Sequence, residues 1–101
     1  RMIHHLVSWK LRDDVDRAGS IARTRELLMG LVGIVDSIRT IDVIENVAFP
    51  EVNHDFAVLA TFDDVAGLEA FANNPIHRAA VGEIHTFITE RGGIDWETPN
   101  A

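Results

Sequence analysis

The run HDFAVLATFDDVAGLEAFANNPIHRAAVGEI, residues 54–84, changes its hydrophobic period part-way along, and that change decides the fold. Over 54–62 the side chains alternate, with Phe56, Val58, Ala60 and Phe62 on one face. Period two with aromatic and β-branched residues predicts a strand. Asp63 or Asp64 then stands where a helix needs an N-cap, and DVAGLEAFAN turns Leu68 and Phe71 inward. Asn74-Pro75 interrupts this helix, because the residue before a proline avoids helical dihedrals. Proline suits a first helical position, so a helix restarts through IHRAAVGEI.

Outward from this segment the pattern completes a small sheet. Residues 2–11, MIHHLVSWKL, alternate as well, with Ile3, His5, Val7, Trp9 and Leu11 on the core face and His4, Leu6, Ser8 and Lys10 on the other. RDDVDRAGS reads as a loop in which Asp16 or Ser20 can cap a helix. From there to about Ser37, apolar residues Ile21, Leu28, Leu31, Val32 and Val35 recur at helical spacing, with Gly30 and Gly33 inside the pattern. Residues 39–48 alternate again and join the 54–62 strand as a hairpin through a short loop. The segment HTFITERGGIDWE, 85–97, closes the chain as a strand bent or bulged at Gly92-Gly93.

The order is β-α-β-β-α-β with the second helix broken in two. Hairpin pairing and right-handed crossovers make this an α+β, ferredoxin-like fold: an antiparallel four-stranded sheet with helices on one face. One domain over 1–101 is expected, structured over about residues 2–98. The uncovered face is predicted to carry Leu6, Ile44, Leu59 and Ile88, too apolar for open water. A second copy packed sheet to sheet would cover it, giving a homodimeric α/β barrel.

Composition narrows the function. The 101 residues are 47% hydrophobic and 25% charged, as in a globular protein, and contain no cysteine. Disulfides, zinc fingers, iron–sulfur clusters and cysteine nucleophiles are thereby excluded. The net charge is −7, and Lys10 is the one lysine, so neither nucleic acid nor an anionic membrane is an expected partner. No apolar run approaches the ~20 residues of a membrane span, and the start has no signal-peptide pattern; a cytoplasmic protein is expected.

Four pieces in this order carry a family resemblance: the opening MIHHLVSWKL, Glu45-Asn46, the segment 54–77 and Ile94-Asp95-Trp96-Glu97. Together they resemble the stress-responsive dimeric α/β-barrel (Dabb) family, from Met2 to about Thr98. The most specific piece is an aromatic followed by x-x-x-Pro-x-His, here Phe71 to His77. The resemblance implies a homodimer with a pocket between sheet and helices in each protomer. Plant polyketide cyclases of the family close a ring by aldol chemistry, with a histidine after the proline as base. That position is His77 here, and the family's first-strand histidine is His5. The cyclases carry a tyrosine where this chain has Phe71, and this chain has no tyrosine at all.

The residues themselves point the same way for His77. It lies near a helix start, where the dipole disfavours the protonated ring, and a neutral imidazole suits a general base. Read structurally, His77 would instead organise the helix break, and His5 would be a buried strand histidine bonded to a neighbour. A pocket is expected between helices and sheet, with His5 and His77 entering from opposite walls. Val7, Trp9, Leu28, Phe71 and Val81 are expected to line it for a small hydrophobic, carbonyl-bearing or aromatic molecule. No metal site or cofactor is expected: His4 and His5 point to opposite faces, and no HxxxH spacing occurs. Three readings follow. The first is a binding protein or lyase/cyclase-like enzyme with His77 as base. The second is a cofactor-free monooxygenase resembling the antibiotic-biosynthesis monooxygenases. The third is a structural stress protein without a ligand.

Overall fold

The computed structural model describes residues 1–99 and contains four strands: β1 (Met2–Leu11), β2 (Thr40–Glu45), β3 (Phe56–Phe62) and β4 (Ile88–Thr98). They form one antiparallel sheet in the order β2-β3-β1-β4, so β1 is central and β4 lies at an edge. Helices α1 (Arg17–Met29), α2 (Val65–Asn73) and α3 (Pro75–Ile84) pack on one face, and a single 3₁₀ turn, His85–Phe87, leads into β4. This is the ferredoxin-like α+β arrangement. No described helix is long and apolar enough to cross a membrane.

The core is built from β1's odd residues. Ile3, Val7, Trp9 and Leu11 are buried, against Val58 and Phe62 from β3 and Ile21 and Leu28 from α1. Asp16 caps α1 by accepting the Gly19 N–H at 2.8 Å, and Asp64 caps α2 by accepting that of Gly67 at 2.7 Å.

Three expectations are corrected. The first helix stops at Met29, not near Ser37. Gly33 takes φ +84°, a left-handed conformation in which a helix cannot continue. Leu31 and Val35 still reach the core from the turns that follow, but Val32 and Ile34 are exposed. Secondly, the β2–β3 connection is not short: it spans residues 46–55, pinned by Asn53 Nδ2 donating to Asn46 Oδ1 and to the Ala48 carbonyl. Thirdly, β4 is not irregular at Gly92-Gly93, which pair in step with Ser8 and Val7, and it begins only after the 3₁₀ turn.

The irregularity lies instead at the start of β4. Lys10 pairs with Glu90 but Leu11 with Ile88, leaving Thr89 as an extra residue. An inserted residue reverses the parity of a strand. Ile88 therefore packs on the core, and Ile94, opposite Leu6, takes the place expected for Ile88 on the uncovered face.

Asp55 ties these pieces together. Its carboxylate accepts the Leu11 N–H at 2.7 Å and the Arg17 Nη1 at 2.6 Å, joining the end of β1 to the first turn of α1. Its own N–H donates to the Trp9 carbonyl at 2.8 Å. Burial pushes the carboxyl pKa up, but the Leu11 N–H and the Arg17 guanidinium outweigh it and hold the group below 3.8. Asp55→Ala strands a buried amide and an arginine, so we expect a loss of about 1–3 kcal/mol, read as a lower chemical-denaturation midpoint at unchanged m. A midpoint equal to that of the native chain would contradict this role.

Candidate functional site

Between the sheet and the helices lies a cavity of about 160 Å³. Its floor follows from the antiparallel register. On the helix side, one row across the sheet reads Asp95–His5–Ala60, the next Gly93–Val7–Val58, and the third Arg91–Trp9–Phe56. Gly93 and Ala60 leave room beside Val7 and His5, and Trp9 stacks at a tilt on Phe56 with ring centres 5.0 Å apart. The roof comes from Leu28 of α1, Phe71 and Ala72 of α2, and His77 and Val81 of α3. His85 and Arg91, both exposed, complete the lining at the rim.

All seven residues singled out from sequence border this one cavity: His5, Val7, Trp9, Leu28, Phe71, His77 and Val81. His5 rises from the sheet and His77 descends from the helix layer, with Phe71 between them. The Phe71 ring centre is 4.1 Å from that of His77 and, edge-on, 5.9 Å from that of His5.

His77 is positioned by the helix break. Asn74 is extended (ψ 129°), as the residue before a proline must be, and its side chain accepts the Ile76 N–H at 2.9 Å. That N–H would otherwise have bonded the Ala72 carbonyl in a continuous helix. The vacated carbonyl instead accepts Nδ1–H of His77 at 3.2 Å. The neutral ring so held has its lone pair on Nε2. Burial lowers the pKa of His77 below the ordinary 6.5; the Ala72 bond opposes this and the neighbouring His5 adds to it.

His5 is held differently. Its Nδ1 hydrogen-bonds the Asp95 carboxylate directly across the β1–β4 ladder, which fixes the tautomer and orients the ring. Its side chain is only 13% exposed. Asp95, Val58, Ala72, His85 and Arg91 complete the site and were not singled out beforehand. The signal for Asp95 was present in the closing Ile94-Asp95-Trp96, but only the register places it beside His5.

A larger, open groove of about 530 Å³ lies on the other face, bordered by Leu6, Ile44, Val52 and His54. There Ser8 Oγ is 2.7 Å from His54 Nδ1, while His54 Nε2 is 3.8 Å from Glu90. The latter gap exceeds a hydrogen bond, so the three do not form a nucleophile–base–acid relay. Among the described residues, no three histidine, aspartate or glutamate side chains converge as metal ligands.

This fold and cavity define a ferredoxin-like α+β protein with a histidine pair between its layers. The chain belongs to the stress responsive A/B barrel domain family, whose sequence profile matches residues 3–98. A dimeric protein of unknown function from Bacteroides fragilis superposes with a TM-score of 0.86 at 28% identity, over 96% of each chain. A dimeric ferredoxin-like protein of unknown function from Thermobifida fusca gives 0.84 at 23% identity, over 96% of this chain and 91% of its own. Hydroxynitrile lyase from Passiflora edulis gives 0.83 at 12% identity, over 100% of this chain and 96% of its own, a likeness of fold alone. No curated protein matches the sequence.

The depressed pKa of His77 sets its pH behaviour. An unfolded histidine takes up its proton near pH ~6.5 and the folded one only below that, so the contribution of His77 to stability is complete above pH ~6.5. It is lost as pH falls towards the folded pKa. In an NMR titration we expect the His77 ring resonances to move below the ordinary histidine range. A midpoint at or above it would contradict the assigned burial and tautomer.

Proposed function

We propose that the chain binds a small apolar, carbonyl-bearing or aromatic molecule in the cavity between sheet and helices, and acts on it with His77 as general base. The observation that carries this reading is the His77–Ala72 bond. It leaves the Nε2 lone pair on a ring that lines a mostly apolar cavity and has a lowered pKa. A base of this kind stays unprotonated near neutral pH and removes a proton beside a carbonyl. The oxygen that gains charge in that step needs a polar partner, and the His5 ring, held by Asp95, faces it from the opposite wall. The cavity itself favours an occupant over a solidly packed structural protein. Lyase chemistry is known on this fold, since one structural neighbour is a hydroxynitrile lyase.

Phe71 supplies packing but no hydroxyl. Ring closure of a linear tetraketide is therefore expected to be weak or absent in the native chain and to rise in Phe71→Tyr. A positioned base contributes about 10²–10⁴-fold, so His77→Ala should remove whatever turnover either chain shows. Turnover that survives His77→Ala would overturn the role of His77.

The second half of the proposal is a homodimer joined through the uncovered sheet faces. One row of that face reads Leu59–Leu6–Ile94, with Ile94 65% exposed, and Ile44 and Trp96 flank it. The loop 46–55 adds exposed Val47 and Val52, which border the groove on that face. A self-complementary patch of this kind is what a twofold dimer buries, and the Bacteroides relative is described as dimeric. Sedimentation at micromolar concentration should give a dimer for the native chain and a folded monomer for Ile94→Glu. A native monomer would refute the interface.

A further inference from the structure

Arg91 stands at the rim of the cavity without a counter-charge, in a chain with 16 acids against 9 bases. Arg1, Arg12, Arg17, Arg23 and Arg39 each hold a carboxylate, and Arg25 donates to the Val43 carbonyl. Arg91 has no hydrogen-bonded or ionic partner among the described residues. Arg78 has none either, but it lies outside the cavity lining. An arginine kept apart from so many acids, beside an apolar enclosure, has all five of its N–H donors available to a ligand.

The strand is shaped to allow this. Arg91 sits opposite Trp9 on the helix side of the edge strand β4, and its guanidinium lies over Gly93, the next residue on that face. A Cβ at Gly93 would come within 3.2 Å of Arg91 Nη1. Gly93 therefore leaves the space that the guanidinium occupies. Beyond it on the same face come Asp95 and His5, so the cationic group lies on the approach to the histidine pair. His85 borders the same rim, and among the described residues no aspartate or glutamate lines the cavity.

We infer that the ligand is a carboxylate: a small aromatic or branched acid whose apolar part enters the cavity and whose carboxylate is held by Arg91 at the mouth. Bidentate pairing of guanidinium with carboxylate suits a planar acid group and fixes its orientation. A cavity of about 160 Å³ accepts one benzene-sized ring, so the charged end of such an acid must remain at the rim. The inference rests on the cavity being the ligand site, as proposed above, and adds what the ligand must carry.

Calorimetric titration with 3-phenylpropanoate and its neutral amide, 3-phenylpropanamide, tests the two levels separately. The native chain should bind the acid about 10- to 100-fold more tightly than the amide, the range for a charge-assisted bond. Arg91→Gln should abolish that preference, so that acid and amide bind alike, while Arg91→Lys should restore part of it. Val81→Trp, which fills the cavity, should abolish binding of both probes. Equal binding of acid and amide by the native chain would overturn the role of Arg91 and leave the cavity as the ligand site. Binding of either probe that survives Val81→Trp, or no binding of either to the folded native chain, would overturn both.

Discussion

The Asp55 carboxylate, wedged between the Leu11 N–H and the Arg17 guanidinium, fixes where β1 ends relative to the helix layer. That position matters because β1 is the central strand and its side chains alternate. A slip of one residue would turn His5, Val7 and Trp9 away from the helices and bring His4, Leu6 and Ser8 under them. Asp55 works against such a slip at three points: the Leu11 amide and the Arg17 guanidinium on its carboxylate, and its backbone N–H on the Trp9 carbonyl. Arg17 extends the clamp to the loop after β2 by donating to the Asn46 carbonyl. Cross-strand rows then bring Asp95 beside His5 and Arg91 beside Trp9 without further specification.

The two histidines illustrate two ways of holding an imidazole. His5 is fixed by a charged partner across a sheet, which depends on residues at opposite ends of the chain. His77 is fixed by a backbone carbonyl that a proline-induced break has released, which depends on the six consecutive residues 72–77. The second arrangement is local, and so it could be read from Asn74-Pro75-Ile76-His77. The first could be read only as far as His5 itself.

The same division explains what else was legible. The alternation in MIHHLVSWKL and HDFAVLATF determined both central strands and their core faces, because period two maps directly onto sides of a sheet. The end of α1 was obscured because Leu31 and Val35 remain buried after the helix stops, mimicking continued helical spacing. Gly92 and Gly93 were legible as an unusual pair but not for the right reason. They make room instead: a Cβ on Gly92 would crowd Ser8 Oγ at 3.3 Å, and one on Gly93 would crowd Arg91. The extra residue at Thr89 has no composition signal, yet it decides which face receives Ile88 and which receives Ile94.

The aromatic residues have an optical consequence. With no tyrosine, near-ultraviolet absorption and emission come almost wholly from two indoles in different compartments. Trp9 is 4% exposed and borders the cavity, whereas Trp96 is 37% exposed on the uncovered face, stacked on His4 with ring centres 5.1 Å apart. A shielded indole emits at shorter wavelengths than a wet one. The two faces of the sheet therefore carry separate native fluorophores, one beside the cavity and the other on the uncovered face, stacked on an imidazole.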